Sequence, residues 1–251
     1  MVKGRTTVLL VLLTIIFFAW GYLFYQHWQM RSQSMAEMWM LPTEIFAWSY
    51  IDFSLVFLMW AVMMVAMMLP SALPMILAAT RVYQQRKTAY YQLTFSFALA
   101  YLCVWFFFSA LLTLLQWQMH GLAWLSPMME NRNPLLAAAI LILAGIYQFL
   151  PIKNVCLRYC RTPMSFLLNE WRDGHLGAFT MGLKHGGACL GCCWAQMLIM
   201  FAVGVMNLLG MALITLIVLL EKLAPMDPKY ISRIGGFAFI TWGIGFLSLG
   251  F

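Results

Sequence analysis

Long apolar runs constrain the fold of this chain more than any other feature of its sequence. A helix needs about 20 apolar residues to cross the hydrocarbon core of a bilayer, and seven runs approach or exceed that length: 7–25, 54–79, 91–115, 134–152, 187–206, 208–222 and 232–250. Hydrophobic residues make up 64% of the chain and charged residues 9%, against roughly 45–50% and 25% in soluble domains. This composition excludes a soluble enzyme and a disordered chain. It predicts an all-α, polytopic membrane helix bundle that forms a single transmembrane domain over residues 1–251.

The basic residues predict how the bundle is oriented. With the N-terminus inside, 12 lysines and arginines fall in inner segments and two, Arg31 and Arg132, in outer ones, while Lys184 lies near the inner end of the fifth run. The inner residues are Lys3, Arg5, Arg81, Arg86, Lys87, Lys153, Arg158, Arg161, Arg172, Lys222, Lys229 and Arg233. Because basic residues concentrate in cytoplasmic loops, we expect about seven helices, with the N-terminus inside and the C-terminus outside. The net charge of +7 therefore indicates a bilayer as partner, and no nucleic acid.

Glycines predict an interruption before the fifth run. Residues 163–183 are interpreted as an amphipathic helix on the inner surface, and a continuous helix from there through the fifth run would exceed 40 residues. We therefore expect a break at Gly186 and Gly187. Gly187 and Gly191 also form a pair of small residues, which predicts the close approach of a neighbouring helix.

The fifth run carries the densest group of metal-ligating side chains. His185, Cys189 and Cys193 are four residues apart and share one helix face, and Cys192 flanks the same stripe. Thiolate and imidazole are ligands that soft and borderline metals prefer. The alternative is that small residues merely line a tight helix crossing. Cys103, alone in the third run, is interpreted as a small buried hydrophobic residue.

The second run supplies thioethers. Met63, Met64, Met67 and Met68 lie within six residues, stacked in pairs four apart. Pro70 lacks an amide hydrogen, so the carbonyl of Ala66 is expected to lose its helical partner beside Met67. Broken helices are common where membrane proteins bind ions. The alternative interpretation is adaptable core packing around an ordinary kink.

Helix geometry places these two groups at one depth. At 1.5 Å per residue, Cys192 and Cys193 lie about 8–9 Å from the inner end of the fifth run, and Met67 and Met68 lie about 10 Å from the inner face of a core about 30 Å thick. The sequence therefore predicts one shared metal site in the inner half of the membrane. Cys156 and Cys160, four residues apart at the inner end of the fourth run, are interpreted as an exit or second site, or else as juxtamembrane thiols without a role.

The ligand types favour a transition metal, and copper over zinc. Zinc suits cysteine and histidine but gives no role to many methionines, whereas thioethers bind Cu(I). The predicted outer segments are also rich in methionine and histidine, at Met30, Met35, Met38, Met40, Met119, Met128, Met129, His27 and His120. The pattern suggests a path for Cu(I) from outer Met and His to inner His and Cys.

Three blocks of residues resemble a known family. The first is Ala66-Met67-Met68-Leu69-Pro70, the second contains Cys156-Leu157-x-x-Cys160, and the third is Cys189-x-Gly191-Cys192-Cys193-Trp194. Together they resemble bacterial integral membrane proteins described as predicted metal-binding, over roughly residues 44–236. The resemblance implies metal binding in a bacterial cytoplasmic (inner) membrane, but neither the metal nor an activity.

The sequence supports three functional hypotheses. The leading one is a metal-binding membrane protein that handles Cu(I), by uptake or by delivery to a membrane enzyme or metallochaperone. An accessory subunit of a membrane enzyme complex is the alternative. A membrane thiol oxidoreductase that uses Cys189-x-x-Cys192 is a further one, although a buried pair would be hard for an exchange partner to reach. The chain lacks hydrolase, kinase and nucleotide-binding motifs, which favours a binding protein over an enzyme.

Overall fold

A computed structural model describes residues 2–32, 48–86, 89–126, 129 and 131–249 of the chain. The longer helices are α1 (Val2–Ser32), α2 (Tyr50–Gln85), α3 (Tyr90–Gly121), α7 (Gly174–Leu198) and α10 (Pro228–Leu249). The shorter ones are α4 (Pro134–Tyr147), α5 (Pro151–Arg161), α6 (Pro163–Glu170), α8 (Met200–Val203) and α9 (Leu208–Leu223). The described residues contain no β-sheet, which confirms the all-α prediction.

Five helices are long and apolar enough to cross a membrane, over Gly4–Gln29, Tyr50–Gln85, Tyr90–Gly121, Gly174–Val203 and Pro228–Ser248 of the described chain. A sixth crossing follows if α4 and α5, which meet at 67°, form one broken span. α9 has 16 residues, fewer than a full crossing needs. The structure therefore supports a membrane protein, while the count of seven spans and their orientation stay predictions.

Proline accounts for a difference from the predicted fourth span. The apolar run 134–152 is not one helix, because α4 ends at Tyr147 and α5 begins at Pro151. Leu150 is extended, with φ −70° and ψ 140°, as steric contact with a following proline favours. Pro151 then starts α5 without needing a hydrogen bond to its nitrogen.

The predicted break at Gly186 and Gly187 is wrong. α7 runs without interruption from Gly174 to Leu198. The helix breaks earlier, because the non-helical residues 171–173 separate α6 from α7. Packing explains why the helix tolerates its glycines. A Cβ on Gly182 would lie 2.3 Å from the carbonyl oxygen of Phe97, and one on Gly186 would lie 2.8 Å from Val104, so these glycines let α7 pack closely against α3.

The predicted small-residue pair is half correct. Gly191 does lie against a neighbour, since a Cβ there would meet the Cys156 sulfur at 2.8 Å. Gly187 has nothing within 4 Å of its virtual Cβ. The pair of glycines that lets α3 approach α7 is therefore Gly182 and Gly186, five residues before the predicted pair.

Inside the bundle, α2 is the central helix and packs on α1, α3 and α9. Its first turn is closed by a capping box in which the Ser49 hydroxyl accepts from the Asp52 amide and the Asp52 carboxylate accepts from the Ser49 amide. The Trp20 indole of α1 donates to the Ala66 carbonyl at 3.0 Å. This bond satisfies the carbonyl that Pro70 deprives of its helical partner.

Candidate metal site

Four cysteine sulfurs come together between α5 and α7. Cys189, Cys192 and Cys193 on α7 are at most 1% exposed, and Cys160 on α5 is 8% exposed. The Cys160 thiol contacts the thiols of Cys189 and Cys192. The Cys193 thiol also contacts the thiols of Cys189 and Cys192. We call these four residues the thiol cluster.

One methionine of α2 reaches the thiol cluster. The Cys193 Sγ lies 3.7 Å from the Sδ of Met68. Met63, Met64 and Met67 are fully buried in the core around α2, and in the described part of the chain none of them has a hydrogen-bonding contact with a cysteine. Of the four candidate thioethers, Met68 is therefore the one with a sulfur-to-sulfur contact to the thiol cluster among the described residues.

A ring of polar groups surrounds Cys189. The Lys222 ammonium of α9 donates to the Cys189 Sγ at 2.9 Å and to the Ser71 hydroxyl at 3.1 Å. The Tyr101 hydroxyl of α3 lies 3.2 Å from the same sulfur and donates to the Met68 carbonyl at 3.1 Å. Lys222 is 5% exposed and forms no salt bridge to a carboxylate among the described residues. Since a buried charge needs a partner, its natural counter-charge is a thiolate on Cys189.

His185 lies one turn before Cys189 in a cage of aromatic rings. Its ring centroid is 5.5 Å from that of Tyr101, 6.0 Å from Phe97 and 5.7 Å from Phe166. The side chain is buried, and its Nδ1 has no hydrogen-bond partner within the described chain. The cage fixes the orientation of the ring and leaves this nitrogen free to accept a ligand.

Cys156 flanks the thiol cluster from outside. It is half-buried on α5 and packs against Gly191, next to Cys192. Cys103, in contrast, is exposed on α3, so its interpretation as a buried hydrophobic residue is wrong. All six cysteines are free thiols.

The thiols are not yet arranged as metal ligands. Cys192 and Cys193 both donate to the Cys189 carbonyl, at 3.1 Å and 2.8 Å, as thiols commonly do one turn back along their own helix. Throughout the described ranges, no three His, Cys, Asp or Glu side chains converge closely enough to hold a metal ion. The ligand assignments of the sequence therefore stay predictions.

A buried polar network lies next to the thiol cluster. The Lys153 ammonium bonds to the Glu221 carboxylate at 2.6 Å, and both residues are at most 1% exposed. The same carboxylate accepts from Ser232 at 3.0 Å and from Gln196 at 3.3 Å. Lys153 also donates to Gln148. The network ties α5, α7, α9 and α10 together one helical turn from Cys192.

The charge count of the sequence analysis placed Lys153 and Lys222 in inner loops, and this placement is wrong. Lys153 and Lys222 were counted among the inner-loop charges, yet both are buried in the bundle. The available signal was their position at the ends of apolar runs, because an ionisable residue inside a membrane segment usually has a functional partner. Tyr101 and Ser71 gave no such signal.

Comparison with known proteins agrees with this soft-ligand chemistry. The model of the PpoB2 copper chaperone family matches residues 57–246. The chain belongs to this copper chaperone family. The match includes every residue of the thiol cluster, together with Met68, His185 and Lys222, and it supports copper handling. Neither the curated proteins nor the solved structures include a significant match.

The family match makes the resemblance seen in the sequence more specific. A metal-handling family was expected from the cysteine and methionine blocks, and the family that matches is a copper family. Copper as the metal is thereby supported, while the residues that bind it are not identified by the match.

Proposed function

We propose that this member of the copper chaperone family binds Cu(I) in the thiol cluster and at Met68, inside its membrane-embedded helix bundle, and delivers it to a copper enzyme or carrier. The contact between the Cys193 and Met68 sulfurs, 3.7 Å apart, carries the proposal. It joins a thiol of α7 to a thioether of α2 at a buried point, and Cu(I) prefers that combination of soft ligands. Copper here is the cargo that the protein carries.

Charge balance supports a monovalent ion. Two thiolates, one Cu(I) and the Lys222 ammonium add up to zero net charge, whereas a divalent ion with the same ligands leaves a positive charge in a buried site. A net buried charge is unfavourable. Because Lys222 contacts Cys189 directly, the bundle already contains the cation that this balance needs.

His185 and Cys156 extend the proposed site in two directions. His185 lies one turn before Cys189 with an unpartnered Nδ1, so it can hold copper on its way into or out of the cluster. Cys156 is less buried than the four cluster thiols and adjoins Cys192. It is suited to receive the ion as it leaves.

The membrane setting belongs to the same proposal. We propose a single transmembrane domain of seven helices in a bacterial inner membrane, with the N-terminus inside. Outward-facing apolar side chains such as Phe17 and Phe18, which are 74% and 68% exposed, support lipid as the surrounding medium. Of the outer methionines, Met119 and Met129 are buried, and Met35, Met38, Met40 and Met128 lie outside the described residues.

Burial favours copper delivery over thiol exchange. A disulfide exchange partner must reach a sulfur atom in line, yet Cys189 and Cys192 are each 1% exposed. A metal ion needs only a narrow path. The alternative of an accessory subunit of a membrane enzyme complex predicts co-purification with a larger enzyme at fixed stoichiometry.

The test is the copper content of detergent-purified protein, loaded and washed under anaerobic, reducing conditions. Wild type should retain Cu(I), whereas Cys189→Ser and Cys192→Ser should lose it, because thiolates bind Cu(I) more strongly than any single thioether. Met68→Leu should weaken retention by less than either serine variant, because it removes one thioether. The matched control is Cys103→Ser, which removes an exposed thiol away from the cluster and should keep its copper. Equal copper in wild type and Cys192→Ser would refute the proposed site.

A further inference from the structure

A surface pocket opens at the junction of α5 and α6, close to the thiol cluster. It has a volume of about 330 Å³, and its lining residues are Arg158, Tyr159, Thr162, Ser165, Phe166 and Asn169. That volume is at the lower end of small-ligand pockets, which span roughly 300–1,000 Å³. We call it the α5–α6 pocket.

The pocket carries one unsatisfied positive charge. Arg158 is exposed, and its guanidinium forms no salt bridge within the described residues. The Ser165 hydroxyl and the Asn169 amide line the same pocket, and the amide donates to the hydroxyl at 3.4 Å. A free guanidinium beside neutral polar groups favours a carboxylate-bearing ligand.

A second pocket, between α2, α3 and α7, has an arginine whose charge is already paired. Its arginine, Arg86, is already paired with Asp173 at 3.1 Å and stacks over the Trp171 ring at 4.4 Å. Its volume is about 230 Å³. The α5–α6 pocket is therefore the better site for a small anion, and Arg86 provides a matched control.

One aromatic ring separates the α5–α6 pocket from the buried site. Phe166 lines the pocket and packs edge-on against His185, with ring centroids 5.7 Å apart. Tyr159 packs on the same phenylalanine and directly precedes Cys160 of the thiol cluster. A ligand in the pocket thus lies one side chain away from His185, and Cys160 lies on the same turn of α5 as the pocket residue Tyr159.

We propose that the α5–α6 pocket binds a small anionic thiol, of the class to which glutathione belongs, and that this thiol receives Cu(I) from the thiol cluster. The inference rests on the proposed function, since it names the acceptor that the same site would serve. Arg158 holds a carboxylate of the acceptor, and the acceptor's sulfur reaches past Phe166 towards the bound ion.

The transfer is a ligand exchange without oxidation or reduction. A bond forms between Cu(I) and the incoming sulfur as a bond between Cu(I) and a cluster cysteine breaks. The proton of the incoming thiol passes to the cysteine that leaves, and copper stays monovalent throughout. No other reactant is needed.

The experiment measures how fast copper leaves the loaded, detergent-purified protein at equal thiolate concentrations of three acceptors. Glutathione is anionic, 2-mercaptoethanol neutral and cysteamine cationic. Wild type should release copper to glutathione about tenfold faster than to either of the others, because a single charge contact contributes on that order. Arg158→Met should remove this preference, whereas Arg86→Met should keep it. Phe166→Ala should speed release to all three thiols by opening the ring that separates pocket and site.

The outcomes distinguish this inference from the proposed function. Equal rates for the three thiols, or an unchanged preference in Arg158→Met, would overturn the inference while leaving copper binding intact. Loss of the preference on adding anionic lipid would assign the pocket to a lipid headgroup and overturn it as well. If the protein binds no copper, the proposed function fails, and equilibrium dialysis of glutathione against metal-free wild type and Arg158→Met still decides whether the pocket binds the thiol.

Discussion

Replacing Glu221 with glutamine removes the one carboxylate that faces Lys153 in the buried network. The two side chains are 0% and 1% exposed and lie 2.6 Å apart. Glutamine has the same shape and can still accept from Ser232, which now donates to the carboxylate at 3.0 Å. The substitution removes the negative charge and turns the oxygen that accepts from Gln196 into a donor. The buried lysine ammonium keeps only neutral partners, the amide oxygens at positions 148 and 221.

The expected cost is large because the remaining charge is not solvated. Breaking a buried ion pair by removing one partner costs about 3–5 kcal/mol, and the retained hydrogen bonds place Glu221→Gln near 3 kcal/mol. With roughly 2–4 °C per kcal/mol for a chain of this size, the melting temperature should fall by about 6–12 °C. Adding Lys153→Met to the same protein removes the orphaned charge, so the double variant should be more stable than either single variant.

Thermal unfolding in detergent, followed by the fluorescence of the 11 tryptophans, measures these changes. The control is Glu170→Gln, which breaks the exposed pair with Lys184, whose side chains are 26% and 43% exposed, and should cost at most about 1 kcal/mol. Two results would refute the reasoning. One is a Glu221→Gln protein as stable as wild type, and the other is a double variant whose loss equals the sum of the two single losses.

Three further predictions concern the metal site, the helix packing and the topology. Met68→Leu should lower the Cu(I) affinity at least about tenfold in chelator competition, with a folding cost below ~1.5 kcal/mol. Met59→Leu, which changes a buried methionine of the same helix, should leave the affinity unchanged, and equal affinities of the two variants would exclude Met68 as a ligand. Gly182→Ala should destabilise the protein by more than about 2 kcal/mol, because the new Cβ would lie 2.3 Å from a carbonyl oxygen of α3. Gly187→Ala places its Cβ where nothing lies within 4 Å, so in the same unfolding assay it should be neutral or stabilising by up to about 1 kcal/mol. A reporter that is active only in the cytoplasm should stay silent when fused after Phe251, and strong activity there would contradict the proposed orientation.

Apolar run length predicted the long helices well because it reflects local physics. The run 54–79 lies inside Tyr50–Gln85 and the run 91–115 inside Tyr90–Gly121. Helix ends depend on signals outside the apolar core of a run, such as the capping box at Ser49, so these two runs are shorter than their helices. The bend at Pro151 could have been predicted, since the proline was visible in the run 134–152.

The break expected at Gly186 and Gly187 shows where local reasoning fails. Each glycine costs a helix about 1 kcal/mol, which favours an interruption when only the sequence is known. In the folded protein, Gly182 and Gly186 let α3 approach α7 to within contact of its backbone. Burial along that contact offsets the intrinsic cost, and it depends on a helix some 80 residues earlier in the chain.

The candidate site likewise contains residues that the sequence could group and residues that only the fold brings together. Spacing along α7 was enough to group Cys189, Cys192 and Cys193, because residues three and four apart share a helix face. Lys222 and Tyr101 approach Cys189 from α9 and α3, and no spacing rule relates residues 33 and 88 positions apart. Counting basic residues to orient the bundle also concealed Lys222, since that method treats each lysine as a loop charge.

Copper X-ray absorption on the loaded, reduced protein is the sharpest test of copper binding by the thiol cluster, because it reports both the oxidation state of the ion and the atoms bound to it. We expect a Cu(I) edge and a first shell of sulfur scatterers, which loses sulfur in Cys193→Ser and in Met68→Leu and keeps its shape in Cys103→Ser. A first shell made only of nitrogen and oxygen, or a spectrum unchanged in both Cys193→Ser and Met68→Leu, would contradict copper binding by the thiol cluster and Met68.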